Sequence, residues 1–453
     1  MPFASDKIAA LATPAGSSAL AVVRASGPRL AELTEKIFGG VPLPRMARHA
    51  DYRDESGQLL DDVVFTYFAE PKSYTGEDLL EISCHGNPFI AQKILEDLYA
   101  RGCRPAEPGE FTKRAYLNGR MSLSQAEAVI DLIRARSERS LAAANAQLRG
   151  ALGREMESLS ALLISVLASV EAYIDFPEED LPPEDCVRLQ RDLTILQERT
   201  RRLVATNHYG TILRDGIKLV ILGESNVGKS SLLNRLIGHE RALVSPDPGT
   251  TRDYLEEPII IGRHALRLID TAGLNSSPSP LEHRGMVKTF EQSAAADLYL
   301  WVIDSTLSVP EIPFAIESRL LATNTILVFN KIDLLSDNAI EKLGHPRAFL
   351  TVRLSALDGR GVDALQEAIA QLVSAHEVNI DGAPIAINAR HTNSLSAALF
   401  SLQNAQNNLS RNDDKELMAS ELRLALIAYG EVSGGFNDDL VLNKLFSSFC
   451  VGK

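Results

Sequence analysis

The sequence predicts a multidomain chain of α+β and α/β type: an N-terminal α+β domain, a helical domain, and an α/β domain with a mainly parallel sheet inserted into the helical one. Three changes of texture along the 453 residues carry that reading. Residues 1–118 mix short β-rich runs with one helical pattern, and residues 119–215 are dominated by Ala, Leu, Glu and Arg. At Gly216 the chain changes to short apolar runs, each followed by a polar loop, until helical texture returns after residue 376. Residues 119–215 and 377–453 therefore read as two parts of one helical domain around an insert at 216–376, since insertion succeeds at exposed loops.

In the first domain "SALAVVRASG", "DDVVFTYFA" and "DLLEISCHG" read as strands and "FIAQKILEDLYARG" as a helix. From Ser122 to Asp175 there is no proline, so long helices are expected, broken near Arg136–Ser140. Leu152, Met156, Leu159, Leu163, Val166 and Val170 alternate steps of four and three, the spacing of a buried helix seam. "DFPEEDLPPED" breaks the pattern, and "CVRLQRDLTILQERTRRLVAT" resumes it. "IKLVIL", "ALRLID", "LYLWVID" and "TILVFN" are the strands of a parallel sheet, and "LSAALFSLQNAQNNLS" and "DKELMASELRLALIAYGEV" return to helix.

Composition narrows the classes. Hydrophobic residues are 45% of the chain and charged residues 23%, the mix of a globular protein. A net charge of -13 argues against a passive, highly basic nucleic-acid binder and leaves room for RNA on a local basic patch. Cys84, Cys103, Cys186 and Cys450 are too scattered for a disulfide framework, so reduced thiols in a cytoplasmic protein are expected. The N-terminus lacks the basic-then-apolar pattern of a secretion signal, and "ALLISVLASV" is about half of a membrane span, so no membrane partner is expected. The adjacent Cys84 and His85 lack a second ligand pair, which favours a buried structural role over zinc.

The chemistry is densest after Gly216. "IKLVILGESNVGKSS" is a strand followed by G-x-x-x-x-G-K-S, with Gly223, Gly228, Lys229 and Ser230. Such glycines let backbone N–H groups surround phosphate oxygens at a helix N-terminus, Lys229 can neutralise phosphate, and the Ser230 hydroxyl can bind Mg²⁺. Downstream, "DTAG" (Asp270, Thr271, Ala272, Gly273) can meet Mg²⁺ through water and the γ-phosphate through an N–H. In "NKID" (Asn330, Lys331, Asp333) the Asp can accept both N–H donors of a guanine edge. "SAL" (Ser355, Ala356, Leu357) can support the base with backbone N–H groups. "GTTRD" begins at Gly249, and its Thr251 can add a second hydroxyl to Mg²⁺. Together and in this order the elements predict a Ras-like P-loop G domain that takes GTP rather than ATP. Asn226, Val227 and Ser231 in the first loop, and Ser245, Pro246, Asp247, Pro248, Gly249 and Thr250 in the next, are counted with its nucleotide contacts.

Two positions stay open on the residues alone. Small GTPases of the Ras type place a glutamine after "DTAG" to orient water; here the residue is Leu274. Glu282 is the nearest acidic candidate, and a solvated loop carboxylate is the better reading of it in isolation. Asn226 is either an ordinary turn asparagine or an oxygen ligand for K⁺, whose charge would stand in for an arginine finger.

The whole chain resembles the MnmE (TrmE) family of tRNA-modification GTPases. The marks are "TPAG", "VVRASG", "YTGEDLLEISCHG", "PGEFTKRAYLNGRMSLSQAEAVIDLI", "IDFPEED", the G-domain motifs and the tail "FSSFCVGK". The resemblance implies a homodimer with an N-terminal folate-binding domain, acting with the flavoprotein MnmG (GidA). It implies installation of an aminomethyl-type group at C5 of the tRNA wobble uridine, with the one-carbon unit from a tetrahydrofolate derivative (5,10-methylene- or 5-formyl-). It also implies K⁺-dependent pairing of G domains. By motif match it places K⁺ on Asn226, Ser245, Asp247 and Thr250, Mg²⁺ on Ser230 and Thr251, and water orientation on Glu282. It places folate on Arg24, Glu81 and Arg120, where many members have lysine in the last position. Three departures are visible: "DTAGLNSSPSP" lacks the family's arginine, Pro248 replaces an alanine, and the acidic pair in "GGFNDDLVLNKLF" is shifted by one. The competing readings are a ribosome-assembly or RNA-binding GTPase switch without folate chemistry, and an N-terminal domain that only dimerises.

The ending "FCVGK" does not fit a lipidation box, because Gly452 and Lys453 suit it poorly and nothing upstream is polybasic. With the resemblance it reads as part of the folate site. Phe446 and Phe449 anchor it, Lys453 reaches folate, and Cys450 is either a reactive thiol or a packing residue.

Overall fold

The computed structural model describes residues 6–135, 137–175, 183–240, 256–262, 264–270, 296–308, 310, 317–341, 343, 348–376, 385–411, 415–434, 445–447, 449 and 451–452. The chain divides into two compact units, Met1–Ile130 with Gln147–Glu198 and Asn393–Lys453, and Asp131–Ala146 with Arg199–Thr392.

In the first unit a sheet forms from β1 (Lys7–Leu11), β2 (Leu20–Ser26), β3 (Ala47–Arg53), β4 (Leu59–Phe68), β5 (Leu79–His85) and β6 (Cys103–Pro105). Their order is β3-β4-β5-β2-β1-β6, antiparallel except for the β1/β6 pair. The three sequence-predicted strands are β2, β4 and β5. Alternation along β2 buries Val23 and Ala25, while Arg24 faces the other side. Its register partner on β5 is Glu81, 57 residues away. Helices α1 (Leu30–Phe38) and α2 (Pro88–Ala100) contribute Leu30, Leu33, Ile94 and Leu98 to the core on the Val23 side. Asn87 caps α2 by accepting from Phe89 N, with Pro88 in the first turn.

Helix α3 (Glu110–Leu117) is fastened by a buried Arg114, 1% exposed, which donates to Asp6, Glu77 and Glu110. Helix α4 spans Leu123–Arg134 and α5 Glu138–Leu148, so the predicted break falls between Arg134 and Glu138. Helix α6 (Ala151–Asp175) buries Leu152, Met156, Leu159, Leu163, Val166, Leu167 and Val170, which includes all six residues of the predicted seam. It is long and apolar enough to cross a membrane, more so than the ten-residue run "ALLISVLASV" indicates. A long helix α7 (Pro183–Asp215) leads to Gly216.

The second unit carries β7 (Ile217–Leu222), α8 (Lys229–Glu240), β8 (Glu256–Ile261), β9 (His264–Asp270), β10 (Leu298–Asp304) and β11 (Thr325–Asn330). These are followed by a 3₁₀ turn (Ile332–Leu334), α9 (Asp337–Glu341), β12 (Leu350–Arg353) and α10 (Val362–His376). Strand order is β12-β11-β10-β7-β9-β8, parallel except for the β8/β9 pair. The mainly parallel sheet is thus as expected, with β8 an added antiparallel edge. Every residue of β10 and β11 is buried, as a sheet covered on both faces requires. Leu219 and Ile221 point to a core shared with Leu232, Leu236, Leu365 and Ile369 of α8 and α10; Val220 and Leu222 point to the other. The chain runs from β7 to β9 on one side and then to β10 on the other, so the loop after β7 leaves the sheet where strand order reverses. Helices α11 (Ala389–Arg411) and α12 (Lys415–Ser433) follow, and from Asn393 the chain is again part of the first unit; there α12 lies against α6 and buries Met418, Leu422, Ala425 and Tyr429.

Candidate functional site

The loop after β7 is shaped by contacts that admit no side chain. Gly223 has φ 152, and a Cβ there would lie 2.4 Å from Val302 O of β10. Gly228 has φ 97, and a Cβ there would lie 2.2 Å from Nδ2 of Asn330. Between them Asn226 adopts a left-handed φ of 64, a conformation asparagine tolerates. Its exposed side chain has no partner among the described residues. Val227 is buried. Lys229 opens α8 and is 7% exposed, with its ammonium donating to Gly223 O (3.0 Å) and Glu224 O (2.7 Å). Ser230 and Ser231 follow in the first turn, both exposed. A buried cation, a helix N-terminus and a tight glycine loop in one place form a polyphosphate cradle.

Asn330, at the end of β11, ties this loop to the base side. Its Nδ2 donates to Val227 O (2.8 Å) and its Oδ1 accepts from Ala356 N (2.9 Å). Lys331 has φ 66, and its ammonium pairs with Asp304 Oδ2 at 2.6 Å. Burial would raise the Asp304 carboxyl, but Lys331 and the Thr306 donors hold it below the ordinary aspartate range. Asp333, in the 3₁₀ turn, has a buried Oδ1 with no hydrogen-bond partner among the described residues. A buried acceptor left open costs free energy, and a guanine N–H edge would satisfy it. In the 355–357 loop, Ser355 N donates to Arg360 O (2.9 Å) and Ala356 N is taken by Asn330. Of the three N–H groups expected to face the base, only that of Leu357 has no partner among the described residues.

Asp270 ends β9, where its backbone is in register with Ile221 of β7. Ser245, Pro246, Asp247, Pro248, Gly249, Thr250, Thr251, Thr271, Ala272, Gly273, Glu282, Cys450 and Lys453 lie outside the described residues.

In the first unit Arg24 and Glu81 meet. Nε and Nη2 of Arg24 both donate to Glu81 Oε1, at 3.0 and 2.6 Å, which leaves Oε2 with no partner among the described residues. The guanidinium lies 5.7 Å from the ring centre of Tyr74 and 5.8 Å from that of Phe111. Nη1 donates to Gly452 O of the tail at 3.4 Å. The tail is held by fit. Phe446 and Phe449 are buried with Leu123 and Ala126. Gly109 has φ 69, and its Cβ position lies 2.7 Å from Phe446 O; that of Gly452, with φ 94, lies 2.3 Å from Leu11 O. Arg120 is exposed and lies against Gly76, in the loop that supplies Tyr74. A half-buried carboxylate with one open oxygen, an arginine and two aromatic rings fit a flat heterocycle that carries N–H donors, such as a pterin. Tyr74, Phe111 and Gly452 were not singled out as contacts from the sequence, although "YTGED", "PGEF" and "FCVGK" contain them.

Cys84 is buried, its Sγ 3.5 Å from Ala21 O, and burial pushes its thiol up to about 11. His85 pairs with Asp61, and no metal-binding cluster occurs among the described residues. The buried place expected of the pair holds for Cys84 alone, since His85 is exposed.

The phosphate loop at a reversal of strand order, with an open aspartate on the base side, defines a P-loop nucleotide-binding domain of the guanine type. A family profile described as the MnmE helical domain matches residues 123–450, and one described as the GTP-binding protein TrmE N-terminus matches residues 7–120. A relative named tRNA modification GTPase MnmE from Opitutus terrae is 53% identical over 453 residues, covering 100% of both chains. Relatives of the same name are 44% identical in Akkermansia muciniphila, covering 98% of both chains, and 37% identical in Chlorobium chlorochromatii, covering 100% of this chain and 99% of that one. The chain belongs to the MnmE (TrmE) family.

Proposed function

We propose that this GTPase of tRNA modification is K⁺-dependent and works with the flavoprotein MnmG (GidA). Together they install an aminomethyl-type (carboxymethylaminomethyl) group at C5 of the wobble uridine of certain tRNAs. Membership of the family supports the GTPase activity in tRNA modification. The observation that carries the finer reading is the meeting of Arg24, Glu81 and the tail carbonyl of Gly452, in a chain that also holds the phosphate loop. A switch GTPase of another class has no use for that cleft.

In this reading residues 1–118 bind folate and dimerise, 119–215 and 377–453 form the helical domain, and 216–376 form the G domain. Lys229 and the loop N–H groups hold the phosphates, Asp333 takes the guanine edge, and Glu282 orients the attacking water. Ser230 and Thr251 would hold Mg²⁺; Asn226, Ser245, Asp247 and Thr250 would hold K⁺. The two cations would supply positive charge against the charge that develops on the γ-phosphate. Glu81 and Arg24 would hold the ring of a tetrahydrofolate derivative, with Arg120 and Lys453 at its periphery; the folate supplies the one-carbon unit. The protein acts as a cytoplasmic homodimer, without a membrane.

GTP hydrolysis by the full chain in KCl and in NaCl at equal ionic strength tests the cation, and titration with 5-formyl-tetrahydrofolate tests the cleft. Hydrolysis well above the sodium rate and saturable folate binding are expected. Equal rates would remove K⁺ from the account. No saturable binding would return the chain to a switch without folate chemistry.

A further inference from the structure

Helix α8 carries a side chain that the phosphate-loop chemistry does not use. Arg235 stands six residues after Lys229 and reaches the base-side loop. Its Nη2 donates to Leu357 O and its Nε to Ala356 O at 3.4 Å. Gly359, with φ 95, offers the guanidinium a surface without a side chain: a Cβ there would lie 3.6 Å from Arg235 Cζ and Nη1. The loop is also closed on itself, by Asp358 N on Ser355 Oγ (3.2 Å) and Gly359 N on Ser355 O (2.9 Å).

The peptide that joins Ala356 to Leu357 is trans, so its C=O and N–H point in opposite directions. Arg235 grips this C=O. It thereby turns the Leu357 N–H away from itself, and this N–H is the one of the three in the loop with no partner among the described residues. The second Arg235 bond, to Leu357 O, fixes the next peptide plane. Two donors of one planar, permanently charged group, at two successive carbonyls, set a backbone direction in a way that a single point charge does not. On the base side, among the described residues, the Asp333 carboxylate with its buried Oδ1 is then an open acceptor and the Leu357 N–H an open donor. Guanine offers N–H donors and the O6 acceptor. Adenine has no acceptor at that place.

The geometry points to Arg235 as a positioning residue for base selectivity: by holding Ala356 O and Leu357 O it aims the Leu357 N–H at the guanine O6. This rests on the reading that the nucleotide is a guanine nucleotide. In this reading Arg235 acts on the base through the loop backbone that it holds.

The test uses the full chain, with GDP and 2-aminopurine riboside diphosphate, which keeps the guanine N2 amino group and lacks O6 and, with it, the N1–H; the readout is therefore the change that each variant makes for each nucleotide. In the wild type GDP binds more tightly than the analogue. Arg235→Ala is expected to weaken GDP about tenfold, the value of one well-placed hydrogen bond, and to leave the analogue within about twofold. Arg235→Lys keeps the stem and the charge but not the fork, and is expected to lose about threefold for GDP only. An equal loss for both nucleotides would make Arg235 a brace of the fold and overturn the proposal, as would unaltered GDP binding in both variants. A wild-type chain that prefers ADP to GDP would instead sink the guanine reading, before any variant is compared.

Discussion

Gly228→Ala tests the phosphate loop at its tightest point. The added Cβ would stand 2.2 Å from Asn330 Nδ2, and the residue would have to hold φ 97. The backbone term alone is about 1–3 kcal/mol for a residue other than glycine. Asn330 is 2% exposed and pinned at both ends of its amide, so it cannot swing aside without breaking bonds to Val227 O (2.8 Å) and Ala356 N (2.9 Å). Those two bonds contribute about 1 kcal/mol each. The nucleotide-free loop can relax the clash, but binding demands the original geometry, so the cost appears in affinity. We expect a loss of about 3–4 kcal/mol, or 10²–10³-fold in the Kd for GDP. A cycle of Gly228→Ala, Asn330→Ala and the double variant, read by titration calorimetry, separates the terms. Once Asn330 is truncated the clash is gone, so the double variant should lose about 2 kcal/mol less than the sum of the singles. Strict additivity, or wild-type affinity in Gly228→Ala, would refute the reasoning.

Gly452→Ala drives a Cβ into the backbone carbonyl of Leu11, which cannot yield, so the tail leaves Arg24. Binding of 5-formyl-tetrahydrofolate should weaken at least about tenfold by fluorescence titration. Glu282→Ala should retain GTP binding and slow hydrolysis strongly in a phosphate-release assay; wild-type turnover would return Glu282 to a solvated carboxylate. Cys450→Ser should abolish tRNA modification if the thiol reacts, whereas normal modification would leave the tail a binding element only. Burial alone would raise the Glu110 and Asp6 carboxyls, but Arg104 and Arg114 hold both below their ordinary range. Carboxyls with lowered values stabilise the fold above their unfolded-state pKa and lose that stabilisation as pH falls through the folded one. The thermal midpoint of the N-terminal unit, followed by circular dichroism, should therefore be flat from about pH 7 to 5 and fall below about pH 4.

Local pattern made the sheet-and-helix alternation readable because a covered parallel strand is a continuous apolar run, as in "LYLWVID", and a packed helix repeats its apolar residues along one stripe, as in α6. It missed β3 ("ARHADYR"), whose residues are mostly exposed at a sheet edge, β6, which is only three residues long, and the short strands β1, β8 and β12. The nucleotide residues were legible for a related reason: the motif from Gly223 to Ser230 is contiguous, and "NKID" closes a strand. The Arg24–Glu81 pair is different. It arises from antiparallel register between β2 and β5, and only the resemblance pointed to it. Tyr74 and Phe111 reach Arg24 from two further segments, and Gly452 from the far end of the chain, so tertiary packing alone assembles that cleft. Arg235 reads in sequence as an ordinary charge on a helix, and only its two carbonyl partners distinguish it.

The central claim is that this chain serves modification of the tRNA wobble uridine. Mass analysis of wobble nucleosides from cells that lack the gene tests it most directly, with the gene restored as wild type or as Gly228→Ala. The account predicts that the C5 aminomethyl-type group disappears without the gene, returns with the wild type and does not return with the variant. Unchanged wobble nucleosides in cells without the gene would contradict it.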